Sequence, residues 1–279
     1  MAVNKKMLLN ILKYLVFIMI SIFVFLPILI TFFASVKDAG QISTVSPLLL
    51  PAFKEITLEN YKKVFESGIL GRSFLNSFIL VIISVVINIL IGSTTAYTLE
   101  RFQFKLKPLV YALFFLGMLV PSNVTEIARF HVISSLGLYN TLGAPIVIYA
   151  CSDLMQLYIY RQFINQIPIS LDESARLDGC GYFRTYIQII FPLLLPATAT
   201  LSIIKAVDII NDMYIPYLYM PSEKLRTLTT MLMSYSNSMK GAWQTLAACV
   251  IVVMIPTLVL YLLFSKFIFA GIVSGAVKE

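Results

Sequence analysis

The chain has 279 residues, 59% hydrophobic and only 13% charged, with a mean hydropathy of +0.87. A soluble domain carries roughly 45–50% apolar and about 25% charged residues, so disorder is excluded and the composition is that of a polytopic helical membrane protein. The net charge of +7 fits cationic loops held on the cytoplasmic side of a membrane, and nucleic acid is not an expected partner.

In chain order, Lys5, Lys6 and Lys13 precede an apolar run, Tyr14–Phe33. That run is too long for a signal-peptide core of about 7–15 residues, and no A-x-A-like site follows it. It reads as a retained first span, bent at Pro27. Further runs at Phe74–Leu99, Pro108–Val124, Gly143–Tyr160, Leu193–Tyr214 and Leu246–Phe269 complete an all-α transmembrane bundle of six spans. Pro108 opens the third, where a first-turn proline is tolerated. The chain divides into an N-terminal anchor span with an external segment, 1–69, and a core, 70–279. The short loop Glu100–Lys107, with three basic residues against one acidic, is placed inside by the bias of basic residues. Six spans then put both termini in the cytoplasm and make 161–192 the largest inner loop.

Cys151, Cys180 and Cys249 lie far apart, which gives neither a disulfide framework nor a zinc site, and the lone His131 excludes an H-E-x-x-H metal site. No catalytic residue, metal or cofactor is expected. No G-x-x-x-x-G-K-[ST] occurs, so the chain has no phosphate-cradling loop. Energy must come from another subunit, from an ion gradient, or from nothing, as in a channel.

The inner loop carries the most information. Ser170 and Glu173 form an S-x-x-E capping box that predicts a two-turn helix, Leu171–Asp178. Pro168 ends the preceding span, and Gly179 suits the left-handed position after a helix. A second helical stretch, Phe183–Ile190, runs up to Pro192. Read locally, this is equally an ordinary helix–turn–helix connector.

The identities of the residues add to that pattern. Glu173-Ser174-Ala175, Gly179, Ile189 and Pro192 resemble the EAA loop of ABC-importer permeases, with Ser174 in place of Ala and Phe191 in place of Leu. The ending from Gly271 to Lys278 is similar to the G-x-x-x-G-A-V-K tail of maltose-type sugar permeases. Asn76-Ser77, Ala96-Tyr97 with Arg101, the run Gly137–Thr141 and Asn211-Asp212 also resemble that group, although Ile210 replaces its Trp. The resemblance covers nearly all of the chain after the first span. It implies a type I ABC-importer permease subunit, which is not itself an enzyme. The implied partners are a second permease in a heterodimer, two cytoplasmic ATPase subunits or domains that hydrolyse ATP, an extracytoplasmic sugar-binding protein and membrane lipid. It also implies that Ser170, Glu173, Ser174, Ala175, Asp178 and Gly179 dock on the ATPase. In that role Glu173 meets a basic group, Ala175 and Gly179 permit close approach, and Asp178 adds a polar contact.

In span five, Lys205, Asp208 and Asp212 recur at i, i+3 and i+7, on one helix face beside Asn211. An ionisable group at mid-membrane costs roughly 2.5–3.5 kcal/mol, so such a face turns to protein or to a water-filled cavity. Span four offers Asp153, Gln156 and Tyr160. Asp153, Gln156, Tyr160, Asp208, Asn211 and Asp212 are therefore candidates to line a translocation path, with groups suited to sugar hydroxyls. A structural ion pair of Lys205 with Asp208 is the alternative. As a coupling pair, the same two residues would suit an ion-driven secondary transporter. Ser84, Asn88, Gly92 and Thr95 in span two read as a packing face. Met231, Met233 and Met239 read as flexible surface of an outer loop, Tyr217–Gln244, which in position resembles the family loop that reaches toward the binding protein. Trp243 reads as an interfacial anchor of span six.

Overall fold

The computed structural model describes residues 5–38, 40–41, 46, 48–121, 124–238 and 243–276. All of the regular structure in them is helical: α1 (Lys5–Ser35), α2 (Glu59–Glu66), α3 (Ile69–Arg101), α4 (Lys107–Leu119), α5 (Glu126–Ser135), α6 (Gly143–Ala150), α7 (Leu154–Ile164), α8 (Ile169–Leu177), α9 (Tyr182–Leu193), α10 (Leu195–Asn211), α11 (Tyr214–Tyr219), α12 (Leu228–Ser238) and α13 (Trp243–Ala276), with short 3₁₀ turns between some of them. Met239, Val277 and Lys278 lie outside the described residues.

Among the described residues, three helices are long and apolar enough to cross a membrane: Leu9–Ser35 within α1, α3, and Trp243–Phe264 within α13. A fourth span results if α9 and α10, bent by 77° at Leu194, act together. The bend follows from Pro192 and Pro196. Proline has no N–H, and its ring crowds the carbonyl four residues back. The ladder adapts with a π turn over Tyr186–Ile190, in which the Phe191 N–H donates to the Tyr186 carbonyl. The expected third span is shorter, since α4 has 13 residues. The expected fourth span is broken, since α6 ends before Cys151 and α7 starts at Leu154.

Two compact units make up the chain. The first holds Met1–Leu70 and Met231–Ile255. In it, Asn60 donates to the carbonyls of Ser35 and Lys37, at 2.9 and 2.8 Å, and so satisfies orphan groups at the end of α1. Lys37 is buried beside it and donates to the Ser46 carbonyl at 2.7 Å, and burial pulls its ammonium pKa down. Met231 is fully buried in α12, and Met233 belongs to the same helix. The expected flexible methionine surface is thus not formed by Met231, because its apolar side chain is worth more inside.

The second unit holds Gly71–Thr230 and Pro256–Glu279, and α3 organises it. The buried face of α3 is small and polar, with Ser73, Asn76, Ser77, Ser84, Asn88, Gly92, Ser93 and Ala96, whereas Phe74, Phe78, Ile82, Val86 and Leu90 point outward. This inversion of the soluble pattern suits a helix whose outer face meets lipid and whose inner face must approach its neighbours closely. Two apolar clusters flank the polar stripe. One joins Ile89, Tyr97 and Leu99 to Leu157, Tyr160, Ile164, Tyr186, Ile190 and Leu201. The other joins Leu80 to Ile133, Tyr149, Ile209, Ile215 and Tyr219.

Candidate docking loop and translocation face

The loop helix α8 begins two residues before the predicted start. Pro168 is its N-cap, with φ −58° and ψ 135°, and places Ser170 inside the first turn. The capping box is therefore not formed. Proline's fixed φ already feeds an extended residue into a helix, and its carbonyl receives the Leu171 N–H at 3.2 Å. The far end matches expectation. Gly179 has φ +79°. Its N–H donates to the Arg176 carbonyl at 3.0 Å, and the Cys180 N–H donates to the Ala175 carbonyl at 2.9 Å. That pair of bonds is the Schellman closure.

The two faces of α8 differ. Ser170, Glu173, Ser174, Asp178 and Gly179 are exposed, and Leu177 is 89% exposed. Ala175 is buried at 3%, so the structure turns it toward its own core rather than outward with the other predicted docking residues. Beside it, one turn earlier, lies Asp172, also buried. Asp172 accepts from the Tyr97 hydroxyl at 2.7 Å and meets Arg101 Nε at 3.2 Å. The Arg101 guanidinium also donates to the carbonyls of Ile167 at 2.6 Å and Ile164 at 3.3 Å. Asp172 is not among the docking residues that the sequence pattern points to. Its one signal was an acidic residue three positions before Ala175, on the inward side of a short helix.

The residues predicted to line a path separate into two groups. Asp153 is the N-cap of α7, accepting from the Gln156 N–H at 2.8 Å, and forms part of the wall of a cavity of about 540 Å³. The rest of that wall is Leu113, Phe114, Gly117, Met118, Ser152, Leu154 and Met155. Asp208 and Asn211 are exposed, and Asn211 accepts from Thr257 Oγ1 at 3.3 Å. The remaining three hold helices together. Gln156 is buried against Gly92, where any Cβ would collide with its carboxamide, and it donates to the Asn88 side-chain oxygen at 2.7 Å. Asn88 in turn donates to the carbonyls of Tyr149 and Cys151, at 3.2 and 2.8 Å, across the break between α6 and α7. Tyr160 is fully buried and shares a hydrogen bond with Thr198 Oγ1 at 3.0 Å. Asp212 follows α10 and accepts the Tyr149 hydroxyl at 2.7 Å and the N–H groups of Tyr214 and Ile215. Lys205 and Asp208 are not among the ion pairs of the described residues.

Elsewhere in the second unit, Glu126 is buried between Tyr219, whose hydroxyl donates at 2.6 Å, and Arg129 at 3.2 Å. Burial first, then this carboxylate, raises the Tyr219 pKa, so the phenol stays a donor.

Comparison with known proteins gives a consistent result. Over 256 residues the chain is 33% identical to the melibiose/raffinose/stachyose import permease protein MelC of Bacillus subtilis, covering 91% of each chain. It is 34% identical over 271 residues to the multiple sugar-binding transport system permease protein MsmG of Streptococcus mutans, covering 95% of this chain and 96% of that one. A chain of a bacterial ABC transporter involved in the import of the acidic polysaccharide alginate shares its fold, with a TM-score of 0.83 over 95% of this chain and 98% of the other at 18% identity. Residues 88–272, which hold the α6–α7 break, the loop helix α8 and the bent α9–α10 pair, match the family described as the binding-protein-dependent transport system inner membrane component, and the chain belongs to that family.

Proposed function

We propose that this membrane subunit forms one half of the path of a carbohydrate importer, with an oligosaccharide as cargo and a separate ATPase as the source of energy. The sugar assignment rests on the relatives, which are permeases for melibiose, raffinose and stachyose and for multiple sugars. The family's dependence on a binding protein supports an extracytoplasmic sugar-binding partner, and a second permease would supply the other half of the path. The observation that carries the ATPase assignment is the outward face of α8. Glu173, Ser174, Leu177 and Asp178 are exposed, while Asp172 and Ala175 on the opposite face are buried. A folded partner with a basic, partly apolar groove would cover that face.

In this reading the chain crosses the membrane six times, with both termini in the cytoplasm. Residues 1–69 anchor it and 70–279 form the core. The shorter crossings are made by α4 and by α6 with α7. Asp153, Asp208 and Asn211 contact passing sugar hydroxyls, while Gln156, Tyr160 and Asp212 keep the wall in place. The 540 Å³ cavity beside Asp153 falls within the roughly 300–1,000 Å³ usual for small-molecule sites.

The test is reconstitution. The chain is co-expressed with a tagged ATPase subunit and the second permease, and uptake of melibiose, raffinose and maltotriose into proteoliposomes is measured with ATP inside and binding protein outside. Retention of the ATPase with ATP-dependent uptake of one of these sugars is the expected result. Concentrative uptake by the chain alone, or no retention of any ATPase, would remove the reading.

A further inference from the structure

Four features of the Tyr97–Arg101–Asp172 cluster go beyond what packing requires. First, the side chains of Arg101, at the end of α3, and Asp172, in α8, are only 8% and 6% exposed, whereas Glu173, Arg176 and Asp178 on and just after α8 are exposed. Second, Arg101 holds three elements at once. It ends α3, it bonds the Ile164 carbonyl at the end of α7 and the Ile167 carbonyl in the connector, and it meets the first-turn carboxylate of α8. Third, the charges match the helix ends. The cation sits at the C-terminus of α3 and the anion in the first turn of α8, where each helix dipole favours them. Fourth, Tyr97 lies one turn before Arg101 on the same face and grips the other carboxylate oxygen. Two points on α3, Tyr97 by a hydrogen bond and Arg101 by charge without one, therefore hold one carboxylate of α8, which bears on the rotation of the short helix as well as its position.

Among the described residues, no backbone hydrogen bond joins α8 to α3. α8 is bounded by Pro168, which has no N–H, and by Gly179, whose Cβ position would meet nothing within 4 Å. We propose that Tyr97, Arg101 and Asp172 are positioning residues that join α8 to α3, so that a push on the outward face of α8 moves α3 instead of flexing the loop. This rests on the proposed docking of an ATPase on α8. Ala175, buried on the same side, acts as the fulcrum contact.

A packing role and a linkage role separate in a double variant. Arg101→Met with Asp172→Leu removes both charges together, which avoids the penalty of leaving one buried charge unpaired. It is assembled with the second permease and the ATPase in proteoliposomes. ATP hydrolysis is read with and without the binding protein, supplied with a mixture of melibiose, raffinose and maltotriose. The expected result is ATPase retention within about twofold of wild type, but stimulation by the binding protein reduced at least about fivefold, because apolar contact fills the space without fixing direction. Wild-type stimulation in this variant would overturn the linkage. Should it fail to assemble, Tyr97→Phe decides. It deletes one hydrogen bond of a buried carboxylate and is expected to reduce stimulation about twofold at unchanged abundance. Unchanged stimulation in Tyr97→Phe would equally overturn the proposal. A wild-type complex that retains no ATPase, or ignores the binding protein, removes the docking reading and the linkage with it.

Discussion

The chain is interrupted twice beside α3, and one α3 side chain spans each gap, yet the two use different chemistry. Across the break from α6 to α7, Asn88 donates from a neutral amide to two free carbonyls. Between α7 and α8, Arg101 donates from a guanidinium to two carbonyls and adds an ion pair. Asn88 lies near the middle of α3, whereas Arg101 is its last residue. A charge at the middle of a bilayer costs roughly 2.5–3.5 kcal/mol, while an amide supplies two donors without it. At the helix end the cation instead gains from the dipole. The difference teaches that α3 grades its polar groups by position while performing one task, the satisfaction of backbone left open by its neighbours.

The largest effect should come from the neutral junction. Asn88→Leu leaves the Tyr149 and Cys151 carbonyls without this donor and strips Gln156 of its side-chain acceptor, leaving it the backbone carbonyl of residue 88 at 3.2 Å. Each buried unsatisfied group costs about 1–3 kcal/mol, so a loss of about 3–5 kcal/mol is expected. Thermal unfolding in detergent would show it as a lower midpoint, and a midpoint equal to wild type would mean that Asn88 does not hold the break. Next comes Gly92→Leu, which drives a side chain into the Gln156 carboxamide. Overpacking of this kind costs about 1–3 kcal/mol. If Gly92→Leu is neutral while Asn88→Leu is not, the hydrogen bonds matter and the close approach does not.

The sequence made much of this legible, and the exceptions share a cause. The first, second and last spans stood out because long apolar runs leave no alternative, and they appear as α1, α3 and α13. Gly179 was legible because the left-handed turn after a helix is a local demand, met by one residue type. The break at Cys151–Asp153 was concealed by its surroundings. Apolar residues continue on both sides, so the run reads as one span, although Ser152-Asp153 is itself a cap signal. The Ser170 box misled because Pro168 competes for the same role two residues earlier. Asp172 was out of reach for a different reason. Its partners lie 75 and 71 positions away, at Tyr97 and Arg101, and pairing over such a separation is set by tertiary packing rather than by any local pattern.

Two capping positions sharpen the comparison at smaller scale. Asp153→Ala removes the acceptor that receives the Gln156 N–H at the start of α7. Loss of such a cap costs about 1 kcal/mol. Ser170→Ala, in a position that is not a cap, should change stability by less than about 0.5 kcal/mol. Equal effects of the two substitutions in the same unfolding assay would restore Ser170 as the cap of α8 and undo the placement at Pro168.

Glu173→Lys should have the smallest effect on the fold and the most specific effect on function. The carboxylate is exposed and lies past the first turn of α8, so it carries little of the dipole interaction. Substitutions at such surface positions stay within about 0.5 kcal/mol, and membrane abundance and unfolding midpoint should match wild type. A basic groove on the ATPase would meet like charge instead of opposite charge, which costs several kcal/mol across an interface. Retention of the ATPase in a pull-down should therefore fall at least about tenfold, a change that needs only about 1.4 kcal/mol. Gly179→Val supplies the contrast, because it strains a residue at φ +79° and alters the shape of the loop as well as its surface. If both variants retain the ATPase and transport as wild type does at matched abundance, the exposed face of α8 is a connector. If Gly179→Val alone loses the ATPase, shape governs docking and the charge of Glu173 does not. Loss in both, with a normal midpoint for Glu173→Lys only, is the outcome expected of a surface whose outward face recruits a partner and whose inward face holds the helix in place.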